Sequence, residues 1–217
     1  SFYWSHLGES CESLMANGKH FHSRSRAFGG SGDFLHILPP FAFRDIDQNL
    51  SVANSEKMAI EQINFLLRER DDIAAIILEP IMINAGVYVF SKHFLRHLKA
   101  LCAQHGVTLI FDEIQTAFGW LGTFFASTFF DVEPDMMSLG KGLACGFPLS
   151  ALLMREEYDV LEYGEDEYTH GGHPISCSIA LESIHYMQNT NIFSEVKCKS
   201  KLLHTELSSI TEEFADV

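Results

Sequence analysis

Three apolar runs in this chain each deliver a polar residue able to do chemistry. Ile73-Ala-Ala-Ile-Ile-Leu78 is followed by Glu79, Val107-Thr-Leu-Ile-Phe111 by Asp112, and the run Met136 to Leu139 by Gly140 and Lys141. Gln115 lies a few residues beyond Asp112. A lysine between Gly140 and Gly142 has backbone freedom and little steric cover, as an amine must if a bulky aldehyde is to reach it. Partial burial would leave more of it as the nucleophilic free amine. Taken alone, the same residues also fit a surface lysine in a glycine-rich turn and a capping aspartate.

The first two runs read as strands buried on both faces, and Met136 to Leu139 as a further strand. Between the first two, Ser91 is expected to cap a helix with Leu95, Leu98, Leu101 and Cys102 on one face and a stop at Gly106. Strand, helix and strand in that order make a right-handed crossover with parallel strands. Upstream, Ser55 is the expected cap of a helix carrying Ile60, Ile63 and Leu67 and fading near Arg70-Asp71. Leu149 to Met154 reads as a further strand, and Ile175 to Gln188 and Phe193 to Phe214 as helices parted by Asn189-Thr-Asn191. Residues 1–54 read as loops around short elements, with an extended break at Pro39-Pro40. The fold class is α/β, a mostly parallel sheet flanked by helices. In such sheets ligands bind beyond the carboxyl ends of the strands, where Glu79, Asp112 and Lys141 stand.

Nearly half of the 217 residues are apolar, enough for one substantial core. With 29 acidic against 15 basic residues the net charge is −14, which argues against nucleic acid or an anionic membrane as partner. No run reaches membrane-spanning length, and no leader of basic then apolar residues opens the chain. Cys11, Cys102, Cys145, Cys177 and Cys198 are scattered without a CxxC pair. That pattern disfavours a disulfide framework or structural zinc and predicts a reducing cytoplasm.

The combination of segments carries more than any one of them. Phe111-Asp-Glu-Ile-Gln-Thr-Ala-Phe-Gly119, Glu133-Pro-Asp-Met-Met-Ser-Leu-Gly-Lys-Gly-Leu143 and Gly146-Phe-Pro-Leu-Ser-Ala151 resemble the successive signature segments of class III aminotransferases. Ile77-Leu-Glu-Pro80 upstream and Thr169-His-Gly-Gly-His-Pro174 downstream extend the resemblance, and Ser1-Phe-Tyr-Trp-Ser-His-Leu-Gly8 aligns without gaps on the family's aromatic-His-Gly segment.

The resemblance implies a fold type I enzyme that uses pyridoxal 5'-phosphate to move an amino group between an amino-acid or amine donor and a keto-acid or aldehyde acceptor. Lys141 would hold the cofactor as a Schiff base and then move the proton at the substrate carbon. Asp112 would keep the pyridine nitrogen protonated, and Gln115 would donate to the cofactor's phenolic oxygen. Phe2 would stack on the cofactor ring. Thr169 would reach the phosphate from a neighbouring subunit, implying a homodimer with shared active sites. Glu79 and Trp120 fall on the substrate side. By the same resemblance, residues 1–188 are most of the cofactor-binding large domain, and residues 189–217 a helix leading into a small domain. The fold is then expected to be incomplete at both ends.

Departures from the family pattern bear on substrate choice. Tyr3-Trp4 replaces His-Gly, Trp120 replaces an arginine found in many relatives, and Met82-Ile-Asn-Ala85 replaces a more polar stretch. The shared residues activate bonds at the amine-bearing carbon without fixing which one breaks, so an aminomutase, racemase or decarboxylase on this scaffold remains open. A truncated copy kept for dimerisation or interaction remains open too. His20-Phe-His22 and His170-Gly-Gly-His173 lack partners at metal-ligand spacing and read as loop histidines. Gly29-Gly-Ser-Gly32 reads as a flexible loop rather than a phosphate cradle. No Gly-x-Ser-x-Gly elbow supports a hydrolase.

Overall fold

The computed structural model describes residues 1–18, 34–165 and 167–213. His20-Phe-His22 and Gly29-Gly-Ser-Gly32 lie outside the described residues.

The N-terminal third holds more helix than its sequence suggests. Helix α1 (Cys11–Ala16) opens on Ser10, whose hydroxyl forms a reciprocal capping box with Ser13. Helix α2 (Pro40–Ile46) begins where a break is expected, because Pro40 occupies the first helical position, where no N–H is needed. Helix α3 (Val52–Glu69) is capped by Ser51, not Ser55. The Ser51 hydroxyl accepts the Asn54 N–H at 3.2 Å, whereas Ser55 lies inside the first turn and donates back to the Val52 carbonyl at 2.7 Å.

Strand β1 (Ala75–Leu78) follows, then a small antiparallel ribbon of β2 (Ile81–Met82) and β3 (Tyr88–Val89). Helix α4 (Lys92–His105) starts at Ser91, whose hydroxyl accepts the Phe94 N–H at 3.0 Å and ends at Gly106 with φ +67°. The buried Glu56 carboxylate holds that cap from α3, accepting the Ser91 N–H at 3.1 Å and its hydroxyl at 2.7 Å. The remaining elements are β4 (Thr108–Asp112), α5 (Ala126–Phe130), β5 (Met136–Leu139), β6 (Ala151–Met154), α6 (Pro174–Asn189) and α7 (Ile192–Glu213).

The sheet runs β1-β4-β5-β6, parallel across the first three strands and antiparallel at β6. Leu78 pairs with Phe111, and Asp112 with Ser138, so the strand ends come level. Ile60, Ile63 and Leu67 of α3 and Leu95, Leu98 and Cys102 of α4 join Ile76, Leu78, Leu109 and Phe111 in one buried cluster. Each such side chain removed from water stabilises the fold by about 1.5–3 kcal/mol. Asp135 adds polar pins, accepting the Leu109 N–H at 2.8 Å and the Lys99 ammonium at 2.5 Å. The positions of β4 and β5, and of whatever follows them, are thereby set from the core side.

Candidate active site

Strand β4 ends on Asp112, whose side chain is buried at 5 % exposure. Its Oδ1 accepts the Ile114 N–H at 3.0 Å. Burial pushes the Asp112 carboxyl up; the Ile114 amide, the neighbouring Ser138 hydroxyl and the charges of Lys141 and His6 pull the other way without cancelling it. A buried carboxylate in this state favours the arrival of a cation.

Next to it, β5 ends at Leu139, and Gly140 leads into a short 3-10 turn, Lys141–Ala144. Lys141 adopts φ +40°, the left-handed region that costs a residue with a Cβ about 1–2 kcal/mol. Strain of this kind collects at functional sites. Lys141 is exposed rather than partly buried, because its turn projects past the strand end. Its neighbour Gly142 admits no side chain easily, since an added Cβ would lie 3.2 Å from the Phe118 Cβ.

Lys141, Asp112, Gln115, Glu79 and His6 line one cavity of about 60 Å³. A water takes about 30 Å³, so this recess receives the polar edge of a ligand rather than a whole one. Glu79 is 3 % exposed, and its Oε2 accepts the His6 N–H at 2.8 Å, which fastens residues 6–8 against the strand ends. A larger and mainly apolar cavity of about 780 Å³ runs along the outer edge of β1, between Ile37, Ile63, Leu67 and Ile76. It contains none of the predicted site residues.

Phe2, expected to stack on a cofactor, is elsewhere. It is fully buried in the core, with its ring 5.4 Å from Phe90 and 6.3 Å from Phe94, because an apolar ring gains more there than at a polar strand end. The aromatic ring this segment brings to the cavity is His6. A register signal existed in the sequence: Gly8 sits at φ +139°, and a Cβ there would meet the Ser13 Oγ at 2.5 Å, so His6-Leu-Gly8 is the part that needs its glycine. Trp120, 75 % exposed on a turn, and Thr169, exposed in the turn before α6, do not line the cavity. Glu113 is a residue the sequence reading passed over. It is fully buried, and its carboxylate accepts the Ala126 N–H at 2.5 Å and the Ser127 N–H at 2.8 Å.

The geometry fits a pyridine-containing aldehyde cofactor: a buried carboxylate lacking a full countercharge, an amide beside it, and a primary amine on the adjacent strand end. A sequence profile described as aminotransferase class-III matches residues 11–217. The chain is 33 % identical over 180 residues to the 5-aminovalerate aminotransferase DavT of Pseudomonas aeruginosa, a match covering 82 % of this chain and 41 % of that protein. It is 35 % identical over 187 residues to the 4-aminobutyrate aminotransferase GabT of Escherichia coli, covering 84 % and 44 % respectively. Its fold superposes on the taurine:2-oxoglutarate aminotransferase of Bifidobacterium kashiwanohense, solved with PLP and glutamate, at a TM-score of 0.88 and 26 % identity. That superposition covers 98 % of this chain and 49 % of that one. The chain thus spans less than half the length of these relatives. Over the length it does span, the profile match and the parallel strand ends agree, and the chain belongs to the class III aminotransferases.

Proposed function

We propose that the protein is a pyridoxal 5'-phosphate-dependent aminotransferase that moves an amino group from an amino-acid or amine donor to a keto-acid or aldehyde acceptor. The observation that carries this is the convergence of Asp112 and Lys141, from the ends of the neighbouring parallel strands β4 and β5, on one cavity. When bound, pyridoxal phosphate supplies an aldehyde that condenses with amines and a ring that draws electrons from bonds at the amine-bearing carbon.

The chain's own residues divide the work. The Lys141 Nζ would hold the cofactor covalently and, as a free amine, would take the proton from the substrate carbon. The Asp112 carboxylate would hold a proton on the pyridine nitrogen, and that pairing would offset the burial that pushes its carboxyl up. Gln115, on the wall of the same cavity, would donate a hydrogen bond to the phenolic oxygen. His6, its backbone held by Glu79, would present its ring to the cofactor in the role expected of Phe2.

Thr169, exposed on its turn, is free to serve the phosphate site of a second copy, and the functional unit is a homodimer with shared sites. Trp120 faces substrate once the partner and a second domain are in place, with residues 189–217 leading into that domain. Among the described residues no helix is long and apolar enough to cross a membrane. Cys102, Cys145, Cys177 and Cys198 are free thiols, which suits a reducing cytoplasm.

The test is amino-group transfer by the full-length protein, followed with a nitrogen-15-labelled donor panel that includes short terminal amino acids. Label in the amino acid formed from the keto acceptor supports the proposal. Release of ammonia, carbon dioxide or an inverted donor without labelled product assigns the chemistry to another branch of the scaffold.

A further inference from the structure

Gln115, Phe118 and Trp120 all lie on the segment between β4 and α5, and both ends of that segment meet at one buried carboxylate. Glu113 stands next to Asp112 in sequence. Its N–H donates to the Ser138 carbonyl at 3.0 Å, which anchors it to β5, and its own carbonyl accepts the Thr116 and Ala117 N–H groups at 3.2 and 3.0 Å. Those bonds close the tight turn that presents Gln115. The side chain then reaches across 13 residues to the start of α5, where it accepts the Ala126 and Ser127 amides, and it also accepts the Thr116 hydroxyl at 3.2 Å.

Three donors converging on one side chain require an acceptor-only group, which a carboxylate is and an amide is not. Burial opposes the charge, and the partners that offset it are hydrogen-bond donors rather than a cation. Holding a carboxylate in the core to tie down this largely buried connection makes sense if the connection's exact placement matters. The same loop brings Phe118 against Gly142, the residue after Lys141.

We infer that Glu113 is a positioning residue for the cofactor site: it holds the segment carrying Gln115 and Phe118 so that Gln115 and Lys141 face the same cavity. The inference rests on the functional reading above. It goes beyond that reading by assigning cofactor placement to a side chain outside the cavity.

The experiment is a double-mutant cycle on the full-length holoenzyme with Glu113→Gln, Gln115→Ala and the double variant. Cofactor affinity and the pH at which the bound cofactor's absorbance changes are the readouts. Glu113→Gln is expected to weaken cofactor binding by about tenfold, as for one lost buried charged acceptor contact, and to shift the absorbance transition in the same direction as Gln115→Ala. The double variant is expected to be no worse than the worse single one, because Glu113 acts through Gln115. Losses that multiply in the double variant, or a folded Glu113→Gln protein indistinguishable from wild type, overturn the inference alone. If Glu113→Gln does not fold, Thr116→Val removes one donor of the set and is expected to give a smaller shift of the same sign; no shift overturns the inference. A wild-type protein that takes no cofactor onto Lys141 overturns the functional reading and this inference with it.

Discussion

Glu79 at the end of β1 receives the backbone N–H of His6 at 2.8 Å, which fixes the N-terminal loop over the strand ends that carry Asp112 and Lys141. Asn17 holds the same loop from its other side, accepting the Leu7 N–H and donating to the Gly8 carbonyl at 2.7 Å. Glu79→Ala leaves the His6 amide without its partner and is expected to cost about 1–3 kcal/mol of stability and to weaken cofactor binding. Glu79→Gln keeps an acceptor oxygen and is expected to lose less of both. Thermal unfolding with a cofactor titration on each variant checks the order.

Phe2 and His6 should fail in opposite ways. Phe2→Ala empties a fully buried core position and is expected to cost about 3–5 kcal/mol in urea unfolding. Phe2→Leu, with its smaller loss of volume, should leave cofactor affinity close to wild type. His6→Ala is expected to weaken cofactor binding while changing stability by less than either Phe2 variant.

Lys141 holds a left-handed backbone at φ +40°. Lys141→Gly removes about 1–2 kcal/mol of αL strain, partly offset by glycine's greater freedom in the unfolded chain. The variant is expected to be no less stable than wild type, and up to about 1 kcal/mol more stable, while losing covalent cofactor capture. Chemical unfolding beside an absorbance assay measures both.

Burial raises the Asp112 carboxyl, so the cofactor-free folded chain keeps a proton there that the unfolded chain releases. The stability this group contributes is complete below the ordinary carboxylate range near pH ~4 and is lost as pH rises through its raised value. Unfolding free energies of the cofactor-free protein should therefore fall less steeply in Asp112→Asn than in wild type as pH rises above the ordinary carboxylate range. Cofactor binding should restore more stability the further pH rises above that range, because it brings Asp112 its cation.

The polar residues at the strand ends were legible because the runs before Asp112 and Lys141 are mainly apolar, and a parallel strand delivers the residues just past its carboxyl end to the ligand side. The crossover was legible for a similar reason, with Ser91 and Gly106 marking both ends of α4. Ser51 and Ser55 both precede residues of α3, and only the inward packing of Ser55 decides which one caps. The β2 and β3 pairs are too short for any period to show. Phe2 took its expected role from a gapless match, whereas the fold buries that ring against Phe90 and Phe94 and turns His6 toward Asp112. Glu113 was hidden because its partners, Ala126 and Ser127, are backbone amides, which leave no mark in the residue types.

The most direct measurement reduces the cofactor-loaded full-length protein with borohydride, digests it, and locates the cofactor-bearing peptide by mass. The predicted result is a single modified residue, Lys141, within the peptide that joins β5 to Gly146, and no modified peptide from Lys141→Ala. Label on any other lysine, or none on a protein that binds the cofactor, would contradict the assignment of Lys141 and with it the paired role of Asp112.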